Sequence, residues 1–160
     1  METHEHLFFQ CSFSRQVWNF ISLKCNINPT VLSWEACITQ MVGLCAGNSL
    51  TSSMRKLCLA TTIYCIWNER NRHFHEGSQC DAKVVIWGIT DLVRYRLVST
   101  KQIPDNVENR NIQLGWGLPD TIFTWQSGLG LVVESFRWWF VVIFFELFVF
   151  NFTIYNIKIA

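Results

Sequence analysis

Apolar positions three and four apart run through most of the first hundred residues, the spacing of one face of an α-helix. After the short apolar run His6-Leu7-Phe8-Phe9-Gln10-Cys11, a helix is expected from a cap at Ser12 or Ser14 to about Lys24. Phe13, Val17, Phe20, Ile21 and Lys24 mark its stripe, with Trp18 beside it. Asn26-Ile27-Asn28-Pro29-Thr30 breaks it. Ser33 can cap the next helix, whose face is Trp34, Cys37, Ile38, Met41 and Cys45, weakened by Gly43 and ended by Gly47. Thr51 or Ser52 opens the most strongly patterned helix, reaching about His75. Met54, Leu57, Cys58, Thr61, Tyr64, Cys65 and Trp67 repeat along it, and Leu59, Ile63 and Ile66 widen the apolar surface. Its last turns are polar and cationic, which suits the negative end of the helix dipole, and Gly77 follows as a left-handed stop. Asp81 caps a fourth helix to about Val98, with Val85, Ile89, Leu92 and Arg96 on one side and Val84, Trp87 and Val93 beside them.

Ser99 to Asn111 is polar and contains a proline, the signature of a linker or surface loop, and Leu114-Gly115-Trp116-Gly117-Leu118-Pro119 is a turn-rich apolar patch. The pattern predicts a mainly α protein: a small bundle of three to four helices with a hydrophobic C-terminal helix or tail. Its segments are 27–98 (helical), 99–130 (linker or loop) and 131–160 (hydrophobic tail).

Residues 138–157 read WWFVVIFFELFVFNFTIYNI and carry one charge, Glu146. About 20 such residues span the hydrocarbon of a bilayer as a helix, and Trp138, Trp139 and Tyr155 lie near the ends, where interfacial aromatics belong. The apolar side chains contribute about −6 kcal/mol to insertion at best. Glu146 takes back about 2–3 kcal/mol, and Asn151, Thr153 and Asn156 subtract more. Three readings stay open: a C-terminal membrane anchor, a helix or strand packed on the domain, and an apolar tail without a selected role.

Composition narrows the function. With 160 residues the chain suits one domain of ordinary size. Its net charge of +1 argues against a strongly basic nucleic-acid domain and against an acidic disordered tail. Only 16% of residues are charged, against roughly 25% in soluble domains, so the surface invites association or a membrane. The 7 cysteines are odd in number and irregular in spacing, and Met1-Glu2-Thr3-His4-Glu5-His6 has neither a basic nor an apolar leader region. The six after Cys11 read as free buried thiols in a reducing interior. The expected location is intracellular: membrane-associated if the tail inserts, otherwise nuclear or cytoplasmic.

One cluster has metal-ligand character: His4-x-His6-x4-Cys11. Structural zinc takes four His or Cys ligands in a tetrahedron, so these are at best half a site. On spacing alone, a surface His pair near a buried Cys is the plainer reading. Nucleotide loops, His-Glu-x-x-His and nucleophile elbows do not occur in the sequence, and its acidic residues are scattered rather than paired for two-metal chemistry. No enzyme activity and no small-molecule substrate are expected. A second candidate is cationic: Arg70, Arg72, His73 and His75 with Trp67 and Phe74 at one helix end, and Arg94 with Arg96 on the next helix. Cations beside aromatics hold phosphates and stack bases, here with weak, salt-sensitive affinity. The plainer alternative is a solvated helix end.

Residues 2–18, Glu2-Thr3-His4-Glu5-His6-Leu7-Phe8-Phe9-Gln10-Cys11-Ser12-Phe13-Ser14-Arg15-Gln16-Val17-Trp18, resemble the second half of the reverse-transcriptase zinc-binding domain of plant LINE-type (non-LTR) retroelements. In that family a Cys-x2-Cys pair precedes an E-T/S-x-x-H-L-F-F-x-C-x-F-S-x-x-V-W segment. Trp67-Asn68-Glu69-Arg70-Asn71-Arg72, with Phe74, is similar to the W-x-E-R-N-x-R-x-F helix end that follows this domain, and residues 114–123 are similar to a segment further downstream. The resemblance implies that His6 and Cys11 stand at the third and fourth zinc ligands. His4 matches no family ligand, though as a third donor it could fill a vacancy. The Cys-x2-Cys pair does not occur ahead of Glu2, so tight zinc, worth roughly 10–16 kcal/mol for a full ligand set, is not expected. The implied protein is a non-catalytic, N-terminally truncated retroelement fragment whose residues 1–26 are the remnant of that domain. Its inherited role is nucleic-acid contact beside a reverse transcriptase. The competing reading is a small tail-anchored membrane protein with a cytosolic helical domain.

Overall fold

Caps and left-handed stops cut the chain into helices, and the apolar stripes between them fold those helices onto one another. The computed structural model describes residues 8, 10–28, 33–100 and 103–123, without the side chain of Trp34. It contains α1 (Ser12–Lys24), α2 (Trp34–Leu44), α3 (Leu50–Glu76), α4 (Ala82–Ser99) and α5 (Val107–Trp116), then a short 3₁₀ turn at Asp120–Ile122. The protein is mainly α, and among the described residues the extended pairing is an isolated bridge between Ile103 and Phe123. The chain divides into the units Met1–Gln126 and Ser127–Ala160, and all described residues belong to the first. Among them no helix is long and apolar enough to cross a membrane. The expected hydrophobic tail lies outside the described residues.

Several helix ends fall where cap chemistry predicts. The Ser33 hydroxyl accepts from the Ala36 N–H at 3.2 Å, and the Asp81 carboxylate accepts from the Lys83 N–H at 2.9 Å. Gly77 closes α3 at φ +68°. Others moved. Cys11 occupies the N-cap position of α1 without a side-chain cap bond, so neither Ser12 nor Ser14 caps it. The α3 cap is Ser49, whose oxygen accepts from Ser52 N–H at 3.1 Å, rather than Thr51 or Ser52. α2 ends at Leu44, before Gly47, with the Cys45 N–H donating to Met41 O at 2.8 Å.

α3 is the central element: it packs on α4, α1, α2 and α5, and α4 packs also on α1. Val17, Trp18 and Ile21 of α1 meet Met54, Cys58 and Ile66 of α3 and Ile86, Ile89, Val93 and Leu97 of α4 in one buried cluster. Each such aliphatic or aromatic side chain contributes about 1.5–3 kcal/mol by leaving water.

The buried stripes are rotated from those the pattern predicts. In α1, Phe20 is exposed, and Ser14 and Ser22 are buried instead. In α3 the buried line is Met54, Cys58, Thr62, Ile66 and Glu69, so Thr62 takes the place expected of Thr61, and Tyr64 is exposed. In α4 the line is Ala82, Ile86, Ile89, Val93 and Leu97, while Leu92, Val84 and Trp87 are exposed. Where apolar residues occur all round a helix, periodicity cannot choose the inner face; packing does.

The largest difference is beyond Thr100. Residues expected to form a linker contain α5, capped by the Asn106 carboxamide on the Asn109 N–H at 2.8 Å. Ile112 and Trp116 of α5, then Leu118 and Ile122, enter the core. The turn-rich apolar patch is the end of α5 and its left-handed stop, Gly117, at φ +61°.

Candidate functional site

Of the metal-ligand cluster, the structure describes Cys11; His4 and His6 lie outside the described residues. Cys11 stands at the mouth of α1, half-buried, with its carbonyl accepting from the Arg15 N–H at 2.9 Å. Around it the apolar members of the same motif point inward: Phe8, Val17 and Trp18 are buried and Phe13 packs on the core. Among the described residues, no group of three or more His, Cys, Asp or Glu side chains is arranged to hold a metal ion. Cys11 and His6 are two donors where structural zinc takes four.

All 7 cysteines are free thiols. Cys25, Cys37 and Cys58 are buried, whereas Cys45, Cys65 and Cys80 are half-buried, less enclosed than their apolar surroundings in sequence implied. Burial pushes the Cys37 and Cys65 thiols up to about 11. Cys58 is raised well above the ordinary thiol range, by burial first and then by its hydrogen bond with Cys25. Cys45 is raised by burial, with Lys56 and Arg55 pulling the other way. Thiols held neutral in apolar surroundings are poor nucleophiles and poor metal ligands, so these act as packing.

The three nominated cations do not converge. Arg70 is exposed on the last turns of α3. Arg72, on the same turns, is bound by Glu69: its Nη2 donates to Oε1 at 2.6 Å and Oε2 at 2.8 Å, and its Nε to Oε2 at 3.2 Å. Arg94 lies on α4 and donates through Nη2 to Gly117 O at 3.1 Å, with Asp91 at 3.8 Å. Counted from the α3–α4 turn, Arg72 and Arg94 differ in height by roughly 12 Å at 1.5 Å per residue. Arg72 and Arg94 therefore hold the fold together while remaining partly open to solvent.

Glu69 is the side chain at this helix end whose role the pattern missed. It is buried, and besides Arg72 its Oε1 accepts the Cys80 N–H at 2.6 Å, tying the Gly77–Asp81 turn back onto α3. Burial alone would raise its pKa. The Arg72 bond, the Cys80 N–H and the charges of Arg72 and His73 outweigh that, and the carboxyl sits below its ordinary value. The signal was available: Glu69 falls three residues after Ile66 on the buried line, and a buried carboxylate needs a partner. Glu69 and Arg72 of the Glu69-Arg70-Asn71-Arg72 run thus build a clasp inside the molecule.

No family model, no curated protein and no solved structure matches this chain.

Proposed function

We propose that this chain is a non-catalytic helical module derived from a plant LINE-type retroelement, resembling the zinc-binding region beside the reverse transcriptase, with weak nucleic-acid contact as its inherited role. One observation carries the reading: the motif residues sort by chemistry. Phe8, Val17 and Trp18 serve the core, while the Cys11 thiol stands half-buried at the mouth of α1, where the core has no use for it. A thiolate ligand needs such a position, open to a metal and backed by a rigid helix. Zinc, where bound at all, would be held loosely by His6 and Cys11, with His4 as a third donor. Arg70, and the solvent-facing parts of Arg72 and Arg94, would meet phosphates.

Two measurements on the full chain test this. Fluorescence anisotropy with a single-stranded oligonucleotide should show weak binding that falls with salt, with a log–log slope no steeper than about −2 for three cations, and Arg70→Ala should weaken it further. Binding that ignores salt, or none at low salt, would refute the nucleic-acid role. Cobalt titration should give a Cys11-dependent thiolate band only at high metal. In the genome, a Cys-x2-Cys codon pattern upstream of Met1 would support the ancestry.

The apolar stretch 138–157, with Glu146 as its one charge, favours a second reading, a tail-anchored membrane protein. Carbonate-resistant pelleting that disappears on deletion of residues 131–160 would support it.

A further inference from the structure

The outer face of α4 is apolar, and it is arranged symmetrically. The inner face uses Ile86, Ile89, Val93 and Leu97. On the opposite side, Trp87 is 67% exposed and Tyr95 71%, with Val84 and Val98 also open. At 3.6 residues per turn these four share one stripe with Gly88, Asp91 and Arg94. A Cβ built at Gly88 meets nothing within 4 Å, so the helix backbone is bare there.

The stripe is spaced symmetrically about Asp91, with valines at its two ends and one aromatic on each side. Val84 and Val98 lie seven residues either side of Asp91, and Trp87 and Tyr95 lie four residues either side. Gly88 and Arg94 lie three residues either side. An antiparallel copy laid across this face, with its Asp91 opposite this one, therefore sets Trp87 against Tyr95 twice and Val84 against Val98 twice. It also sets each Arg94 over the other copy's Gly88, where there is no side chain in the way. That pairing is self-complementary, as a twofold interface must be.

We propose that a second copy of this chain covers the outer face of α4, the two helices crossing antiparallel about a twofold axis at Asp91. Charge agrees with the geometry. The two Asp91 carboxylates meet at the axis, and each Arg94, one turn away, offers its Nη1 to the carboxylate of the opposite copy while Nη2 stays on the Gly117 carbonyl, so the centre is neutral. In the single chain this Arg94–Asp91 pair is open, at 3.8 Å with the carboxylate side chain 76% exposed. Area agrees as well. Aromatic side chains carry roughly 150–250 Å² each, so with the two valines a face offers on the order of 500 Å². Two faces then bury about 1,000 Å², the lower bound for specific pairing. Gly88 permits the close helix approach of about 8 Å that such a small face requires. The inference shares Arg94 with the nucleic-acid reading, but its test uses neither nucleic acid nor a zinc ligand, so the two readings fail separately.

Sedimentation equilibrium of the full chain, without nucleic acid, should give twice the 18.7 kDa chain mass. Trp87→Glu and Tyr95→Glu should each return it to the single-chain mass with the helical circular dichroism unchanged. A photo-crosslinking residue in place of Asp91 should yield covalent dimers, and the same residue in place of Arg96 should yield none. A single-chain mass for the unsubstituted protein would overturn the proposal. So would dimers that survive both glutamate variants, or equal cross-linking from positions 91 and 96. If a glutamate variant loses its helical signal, the contrast between 91 and 96 decides the matter alone.

Discussion

The Lys24 ammonium sits 4.8 Å from the centre of the Trp116 ring and donates to the neighbouring Gly115 carbonyl at 3.0 Å, fastening the last residue of α1 to the last turn of α5. Trp116 is buried, so Trp116→Ala should destabilise the chain by about 3–5 kcal/mol through lost burial and a cavity. Lys24→Met keeps the aliphatic stem and removes a partly exposed cation–π contact, which should cost about 0.5–1 kcal/mol. Urea unfolding of both variants checks the order. Equal effects would mean that α5 adds little to the core.

That fastening also explains why α5 was illegible in the sequence. Asn109, Asn111 and Gly115 are poor helix formers. What stabilises the segment is distant in sequence: Lys24 from α1, Arg94 from α4, and Thr51 of α3, whose hydroxyl donates to Glu108. The boundary between α3 and α4 was readable because the Gly77 stop of α3 and the Asp81 cap of α4 are local chemistry. Their inner faces were not, since Leu92 and Trp87 look as apolar as Ile89 and Leu97. At the candidate site, the pattern marked Arg72 as a cation but could not show that Glu69 already binds it.

Glu69 makes stability depend on acid. Its folded pKa lies below the ordinary carboxyl value of 4.5, so the unfolded chain takes up its proton first as pH falls. Its contribution is therefore complete above about pH 5 and drains away as pH drops through the lower folded value. Glu69→Gln should cost about 1.5–3 kcal/mol at neutral pH, the range for hydrogen bonds to a buried charged group. It should also flatten the acid limb of the stability curve. Thermal unfolding from pH 3 to pH 7 measures both.

The thiols should separate by burial. With a pKa near 11, about one Cys37 or Cys65 in a thousand is thiolate at pH 8, and Cys58 is fully enclosed as well. Iodoacetamide labelling of the native chain, read by peptide mass spectrometry, should leave Cys37 and Cys58 unmodified long after the half-buried Cys11 has reacted. Denaturant should make all seven equivalent. Rapid native labelling of Cys58 would show that α3 opens locally.

Thr62 carries a buried hydroxyl with no hydrogen-bond partner among the described residues. Thr62→Val keeps the shape and removes the stranded polar atom, which should stabilise the chain by about 1 kcal/mol. Thr62→Ser keeps the hydroxyl and loses the methyl, and should destabilise by about the same amount. Opposite signs in chemical denaturation are the expected result.

Two helices end in the same left-handed motif with different residues at the turn. After α1, Asn26 N–H donates to Leu23 O at 3.0 Å and Ile27 N–H to Ser22 O at 2.9 Å, with Asn26 at φ +53°. After α5, Gly117 N–H donates to Leu114 O at 3.3 Å and Leu118 N–H to Gln113 O at 2.9 Å, with Gly117 at φ +61°. In both, the following apolar residue, Ile27 or Leu118, is buried and locks the turn onto the core. A Cβ in this conformation costs roughly 1–2 kcal/mol, and asparagine recovers part of that through local hydrogen bonding. Gly117→Ala should therefore lose about 1–2 kcal/mol, Asn26→Ala somewhat less, and Asn26→Gly should be neutral or gain a few tenths. If Asn26→Gly destabilised as much as Gly117→Ala, the asparagine side chain, rather than its backbone angle, would be what holds the end of α1.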